Sequence, residues 1–184
     1  MTPEVVFNFL AGIIGAAVGG IFVLAGTWLT IRAESKRDQA REEKEVQNLL
    51  DALGVEIKTL WDFHMKRVGQ QLESLPENKA FEFYYPLTQD YFTIYNSNAA
   101  LIGRIKDCEL SEAIVVCYNK CKKAVDGFKY NNALYEAYTE AMNKHLEPEI
   151  TISRNKFQGY AATLKEDHFE LKGYVKRLLE MLKA

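Results

Sequence analysis

The chain has 184 residues, with 25 acidic and 23 basic side chains, so its formal net charge is −2. This length suffices for one ordinary domain, but not for two once a long apolar N-terminal run is subtracted. Because the chain has no overall basic character, no nucleic-acid partner is expected. Its three cysteines are an odd count without a disulfide framework, which is typical of a reducing compartment.

The N-terminal run contains no Asp, Glu, Lys, Arg or His from Val5 to Ile31. It exceeds the roughly 20 apolar residues that a helix needs to cross a bilayer. A phosphate-binding loop would need a lysine after its second glycine, and a cleaved signal would need a positive start and a shorter core. Neither pattern is present, so the sequence predicts a transmembrane anchor over residues 1–31, with the lipid bilayer as its partner.

Basic residues flank this run only on its C-terminal side. Trp28 lies near that end, where aromatic residues are common at the boundary between lipid and water. The basic residues are Arg32, Lys36, Arg37, Arg41 and Lys44. The positive-inside rule therefore predicts a single-pass protein of the inner (cytoplasmic) membrane, with its N-terminus outside and its C-terminal domain in the cytoplasm.

Glycines repeat within the run. Gly12, Gly19 and Gly26 are seven residues apart, and Gly15 lies on the same helical face. Small residues at such spacings let membrane helices approach closely, so these four positions predict a packing face and a homo-oligomer. The alternative is that small residues are simply common in membrane spans.

Charges of both signs follow the run over residues 32–45, with opposite charges three or four positions apart, as in Arg41 and Glu45. This spacing places them side by side on a helix and predicts a charged helical stalk. A lipid-binding basic cluster is the alternative, and the interleaved acidic residues argue against it.

Helical periodicity then runs from Val46 to Leu75 and ends at Pro76. Residues 80–106 are less regular, with aromatic side chains crowded around Pro86. For this stretch we expect a turn and one short helix of two to four turns, whose aromatic face covers one end of a bundle.

Two further helices have regular seams. The first should begin at a capping Ser111, with Leu110 packing on Val115, and a turn over 145–149 should precede the second. The seam positions alternate in steps of three and four, and they are Ile114, Cys117, Cys121, Ala124, Phe128, Asn131, Tyr135, Tyr138 and Met142, then Phe157, Ala161, Leu164, His168, Leu171, Val175, Leu178 and Leu182.

The predicted fold class is therefore all-α: an N-terminal transmembrane helix followed by an antiparallel bundle of three long helices plus one short helix. The domains are an anchor at 1–31, a stalk at 32–45 and a cytoplasmic helical bundle at 46–184.

Candidate chemistry is sparse. Cys117 and Cys121 lack the spacing of a zinc site and are expected to be core residues. His64 and His168 should approach each other while His145 cannot join them, and His168 is expected to set helix register, as is Asn131. No catalytic residue, metal site or cofactor is predicted.

Tyr91, Tyr95, Asn98 and Gly103 are the candidates for a partner or ligand surface. The default expectation for the stretch from Tyr95 to Gly103 is instead a structural corner. Asn98 would bond to the local backbone at a helix end, and Gly103 would take a left-handed terminal conformation.

A spaced pattern runs through TIYNSNAALIGRIKDCELSEAIVVCYNKCKKAVDGF, residues 93–128, and the position before it. Its positions are Phe92, Tyr95, Asn98, Ile102, Gly103, Leu110, Ser111 and Tyr118. In this pattern the chain resembles an uncharacterised family of bacterial single-span membrane proteins with an N-terminal anchor, a charged helical stalk and a cytoplasmic helical domain. The resemblance implies no specific activity; a defence or stress role would be an analogy.

The leading hypothesis is a membrane-anchored cytoplasmic helical module that acts by self-assembly and by binding an unknown protein partner, without catalysis. The alternative is a membrane effector of bacterial defence type, in which a ligand or partner triggers the bundle to perturb the membrane through its packed anchors. An enzyme tethered to the membrane ranks last.

Overall fold

The computed structural model describes residues 3–87 and 90–183, but not the side chains at 4–11, 13–18, 21 and 25. The described residues form helices and connecting segments without any strand, which confirms the all-α class. In chain order the helices are α1 (Pro3–His64), a π-helical turn (Met65–Gly69), α2 (Gln70–Ser74), α3 (Thr93–Ser97), α4 (Ala99–Ile102), α5 (Cys108–Asn143) and α6 (Glu147–Met181).

The chain divides into two compact units, Met1–Gln47 and Asn48–Ala184. In the first unit, Arg41 and Glu45 form the ion pair expected from their spacing, at 3.0 Å. Among the described residues, no helix has both the length and the apolarity that crossing a bilayer requires. The predicted anchor at 1–31 falls largely on positions whose side chains lie outside the described set.

In the second unit, α5 and α6 pack side by side in opposite directions. Lys120 pairs with Glu170 and Lys123 with Asp167, so one helix ascends as the other descends. Gly127 permits this approach, because a Cβ atom there would lie 3.3 Å from Leu164 Cδ1. The glycine does not interrupt α5, which continues to Asn143.

The expected fully antiparallel order is wrong for α1 and α5. Glu56 contacts Tyr118 and His64 contacts Phe128, so these two helices run in the same direction. The cause is the connection between Ser74 and Cys108, which is mostly non-helical. An extended residue advances a chain about twice as far as a helical one, so this segment can return along the bundle before α5 begins.

The apolar seam of α6 is confirmed. Every predicted position from Phe157 to Leu178 is buried, including His168 at 3% exposure. The seam of α5 also holds along most of its length, but Met142 is 42% exposed and Ala141 is buried instead. The helix ends at Asn143, so the seam no longer faces the bundle at its last turn.

The first helix of the bundle contains a feature that periodicity did not indicate. The α-helical path gives way to a π-helical turn at Met65–Gly69 before it resumes in α2. A π turn adds a residue to the helical repeat and therefore rotates the side chains that follow it. The helix ends at Ser74, close to the predicted stop at Pro76.

Other boundaries differ as well. Asp107, not Ser111, caps α5, because its carboxylate accepts the N–H groups of Glu109 at 2.9 Å and Leu110 at 3.1 Å. Val115 is exposed and so cannot pack on Leu110 as a staple. The expected single short helix is two one-turn helices, α3 and α4, and α6 already begins at Glu147.

Candidate functional site

A non-helical segment at residues 81–87 lies against α5 and is held by two adjacent asparagines. Asn132 Nδ2 donates to the carbonyl of Tyr85 at 2.6 Å, and its Oδ1 accepts the N–H of the same residue at 2.9 Å. Asn131 Nδ2 donates to the carbonyls of Phe81 and Phe83. Because these backbone groups have no strand partner, the two side chains replace a neighbouring strand.

Asn131 therefore anchors the aromatic segment, which is more specific than the register role predicted for it. Its Nδ2 is used, while Oδ1 is the buried side-chain polar atom without a partner among the described residues. That unmet acceptor costs stability, and the bonds to Phe81 and Phe83 offset the cost.

A second polar contact connects α1, α3 and α5. The carboxylate of Glu56 accepts the N–H of Ile94 at 2.8 Å and of Tyr95 at 3.3 Å, and it accepts the hydroxyl of Tyr118 at 2.8 Å. A negative group is favoured at a helix N-terminus, so Glu56 supplies the cap that α3 lacks in its own sequence. Burial and this carboxylate raise the pKa of Tyr118 far above its usual range.

The half-buried His64 and the buried His168 meet, as the sequence predicted. His64 Nε2 lies 2.9 Å from His168 Nδ1, and His168 Nε2 lies 3.2 Å from a carboxylate oxygen of Glu73. Lys172 donates to the same oxygen at 2.7 Å and, with His168, lowers the pKa of Glu73. The indole of Trp61 stacks on both imidazoles. Gly69 in the π turn leaves room for His168, since a Cβ atom there would approach its Cε1 to 3.2 Å.

These contacts determine the tautomers. Ionised Glu73 can only accept, so neutral His168 carries its proton on Nε2 and accepts at Nδ1. His64 must then donate from Nε2, which leaves its Nδ1 as an acceptor. Burial, and secondly His168, lowers the pKa of His64 to about 4. Burial also lowers the pKa of His168, against the opposing effect of Glu73. Both rings are therefore neutral near pH 7.

An apolar cavity of about 70 Å³ is lined in part by His64 and Trp61. Its walls come from α1, the segment after residue 84, α5 and α6. The residues that line it include Leu60, Phe63, Tyr85, Tyr91, Phe128 and Leu171. Tyr85 stacks on Phe128 with ring centres 5.1 Å apart, so the asparagine contacts also fix one wall of this cavity.

The sequence-predicted surface residues do not form one site. Tyr91 lines the cavity, whereas Tyr95 stacks on Tyr118 at 4.1 Å with the rings nearly parallel. Asn98 donates to the carbonyl of Ile94, which is a local contact at the end of α3. The left-handed conformation expected of Gly103 is wrong: its φ is −66°, because it continues the right-handed turn of α4.

Of the four glycines predicted to form a membrane packing face, Gly12, Gly19 and Gly26 have no heavy atom within 4 Å of an added Cβ among the described residues. Gly15 lies outside the residues whose surroundings are described.

Cys117 and Cys121 are buried on the seam of α5, as expected for core residues, and Cys108 is exposed. A hydrogen bond with Cys117, and secondly burial, raises the pKa of Cys121 strongly. In the described part of the chain, no three His, Cys, Asp or Glu side chains are grouped to hold a metal ion.

Sequence reasoning missed Glu56, Glu73 and Asn132 as contact residues. The two glutamates resemble ordinary charges on a helix face, and nothing local distinguishes them. Asn132 could have been suspected from the sequence because it adjoins Asn131, a position on the apolar seam. Burying side-chain amides without hydrogen-bond partners costs stability.

The chain matches no family model, no curated protein and no solved structure. Its contacts are therefore the basis for any functional proposal.

The asparagine contact predicts a local effect of Asn132→Ala. The N–H and C=O of Tyr85 would lose their partners, so we expect the free energy of unfolding to fall by about 1–3 kcal/mol. Amide hydrogen exchange in peptides covering residues 81–87 should accelerate at least about tenfold. The matched control is Asn119→Ala, at an exposed position of the same helix. Unchanged exchange in the Asn132 variant would contradict this role.

The histidine pair predicts a pH dependence of stability. The pKa of His64 is about 4 in the folded chain and 6.5 in the reference state, so the unfolded state binds the proton more readily. Stability is complete above pH 6.5 and falls as the pH decreases towards 4, by about 2 kcal/mol between pH 7 and pH 5 from His64 alone. Urea unfolding in detergent at both pH values measures the loss.

The substitution His64→Gln should reduce that loss by more than half, because glutamine cannot titrate and can still donate to His168. His145→Asn is the control, since His145 is exposed and asparagine tolerates its φ of 55°. Equal losses in the wild type and the His64 variant would show that His64 is not the titrating group.

Proposed function

We propose that the chain is a membrane-anchored helical module that acts by self-assembly and partner binding rather than by catalysis. Its residues 1–31 would lie in the inner (cytoplasmic) membrane with the N-terminus outside. Residues 46–184 would then form the cytoplasmic helical bundle, and residues 32–45 the charged stalk.

The observation that carries this proposal is a set of large apolar side chains that are exposed on α1. Their exposed fractions lie between 58% and 73%, and they are Phe22, Val23, Leu24, Trp28, Leu29 and Ile31. Successive residues such as Phe22, Val23 and Leu24 point in different directions around a helix. An apolar surface on all sides of a helix calls for an apolar environment, and lipid supplies one.

Polar groups at the end of this stretch support the same interpretation. The hydroxyls of Thr27 and Thr30 donate to the carbonyls four residues earlier, at 2.9 and 3.0 Å, so neither needs water. The guanidinium of Arg32 lies 5.1 Å from the ring centre of Trp28. A tryptophan beside the first basic residue is typical of the boundary between lipid and water.

Self-assembly is supported by the glycines. Gly12, Gly19 and Gly26 share one face of the helix, and no heavy atom of the described residues lies within 4 Å of a Cβ added at any of them. A second copy of the helix would fill that space, because close backbone approach is what small residues permit in lipid.

The effector, in which a ligand or partner rearranges the bundle, is the second candidate. The apolar cavity beside His64 favours it, since ligand sites are most often apolar cavities with a few polar groups.

Membrane insertion predicts that the full chain stays in the membrane pellet after alkaline extraction. Introducing Val23→Arg together with Leu24→Arg should move it to the supernatant, because an arginine inside a membrane span costs up to about 3 kcal/mol. Gln39→Arg with Ala40→Arg is the matched control, since both positions are exposed in the charged segment.

Orientation can be measured at Cys108, which is exposed. If the bundle lies in the cytoplasm, a membrane-impermeant maleimide should label Cys108 only after the membrane is permeabilised. Release of the wild-type chain by alkali would contradict insertion, and labelling of intact cells would contradict the orientation.

The packing face predicts that Gly12→Leu, Gly19→Leu and Gly26→Leu, made together, abolish crosslinking between copies in membranes. Among the described residues no heavy atom lies within 4 Å of a Cβ added at these three positions, so the expected loss reports contact between helices. Gly20→Leu is the matched control, because the same holds at Gly20 but Gly20 lies about 100° around the helix from Gly19. Undiminished crosslinking in the triple variant would refute this face.

A further inference from the structure

A charged group, the guanidinium of Arg67, lies beside Phe63, one of the residues that line the cavity next to His64. Phe63 lines the cavity and is 44% exposed. The guanidinium of Arg67 lies 4.8 Å from the centre of the Phe63 ring. Within the described residues, no carboxylate pairs with this guanidinium. An arginine stacked on an aromatic ring and lacking an acidic partner keeps its donors available for an anion.

Two phenols also belong to this cavity. Tyr85 and Tyr91 both line it, and across residues 3–87 and 90–183 neither hydroxyl has a hydrogen-bonding partner. Burial raises the pKa of Tyr85, Tyr91 raises it further, and the charge of Arg67 opposes both. The apolar space therefore has two phenols among its lining residues and a guanidinium stacked on a third lining residue, Phe63.

The π-helical turn produces this arrangement. Phe63 and His64 precede it, and Arg67 lies within it. The additional residue in the repeat alters the direction in which Arg67 points relative to the preceding α-helical turns. Such turns cost helix hydrogen bonding and occur frequently at functional sites. Here the turn directly follows His64, which contacts His168, and it contains Arg67, whose side chain is exposed.

We propose that this cavity binds a small carboxylic acid with an aromatic or branched aliphatic body, its carboxylate on Arg67, Tyr85 and Tyr91 and its body among Leu60, Phe128 and Leu171. Guanidinium binds carboxylate through two parallel hydrogen bonds, and phenol hydroxyls donate to the remaining oxygen positions. The apolar walls lose contact with water when the body enters.

The size of the cavity limits the ligand. Its 70 Å³ is less than the roughly 150 Å³ of a cavity that encloses benzene completely. A single ring therefore enters in part and keeps its carboxylate near the exposed rim, whereas a fused polycyclic acid is too large. The inference goes beyond the proposed function and does not depend on membrane insertion, because the cavity is formed within residues 48–184.

The chain provides its own reporter for a binding experiment. Trp61 lines the cavity, and Trp28 is the second of the two tryptophans. In a full-length Trp28→Phe protein in detergent, fluorescence comes from Trp61 alone. Phenylacetate should change that fluorescence saturably, and phenylacetamide, which has the same shape without the charge, should bind at least about tenfold more weakly. Hexanoate tests whether an unbranched fatty acid is accepted instead.

Two substitutions separate the roles of the rim and the apolar walls. Arg67→Met keeps a long side chain but removes the charge. It should therefore lower the affinity for phenylacetate about tenfold and leave the affinity for phenylacetamide unchanged. Lys66→Met is the matched control, because Lys66 is the adjacent exposed cation. Ala124→Leu partly fills the cavity and should abolish the binding of both compounds. Thermal unfolding of each variant verifies that it is folded.

The proposal would be overturned if phenylacetate at millimolar concentration caused no saturable change in fluorescence, or if the acid and the amide bound with equal affinity. It would also be overturned if the Arg67→Met protein bound phenylacetate normally, or if hexanoate bound more tightly than phenylacetate. If Ala124→Leu does not fold, Val125→Met, which alters a neighbouring wall position by less volume, replaces it. None of these results bears on alkaline extraction, so the membrane proposal is tested separately.

Discussion

The amide of Asn132 holds the backbone of Tyr85 at both its donor and its acceptor, and much of the unit at residues 48–184 depends on this contact. An extended segment normally requires a neighbouring strand, because unpaired backbone groups are costly when buried. Here a helix supplies the partner through a side chain. The segment can therefore lie along α5, place Tyr85 against Phe128, and form one wall of the cavity.

Glu56 makes a second contact of this kind, at the start of α3. Phe92 adopts a left-handed backbone with φ of 72°, which is unfavourable for a residue with a side chain. The carboxylate bonds that follow, to the N–H groups of Ile94 and Tyr95, offset this cost and stabilise a helix that is too short to form alone. Since Glu56 also accepts from Tyr118, the start of α3 is fixed between α1 and α5.

The π-helical turn separates two kinds of polar chemistry. His168 and Glu73 form a hydrogen bond with each other, and His168 lies beside Gly69. Their role is therefore a structural one. Arg67, in the same turn, has an aromatic neighbour but no carboxylate within the described part of the chain. A buried, satisfied network and an unpaired guanidinium at a cavity rim have different consequences: the first stabilises the fold, and the second is available to a ligand.

The sequence by itself determined the all-α class, the seam of α6 and the approach of His64 to His168, because periodic burial is recorded in one segment at a time. Only the tertiary structure decided the direction of α5 relative to α1, the π turn and the contacts of Asn132 and Glu56. Those contacts join a side chain to the backbone of a residue 47 positions away, or 38 in the case of Glu56 and Ile94. Such a bond imposes no period on either segment, so nothing in the local pattern predicts it.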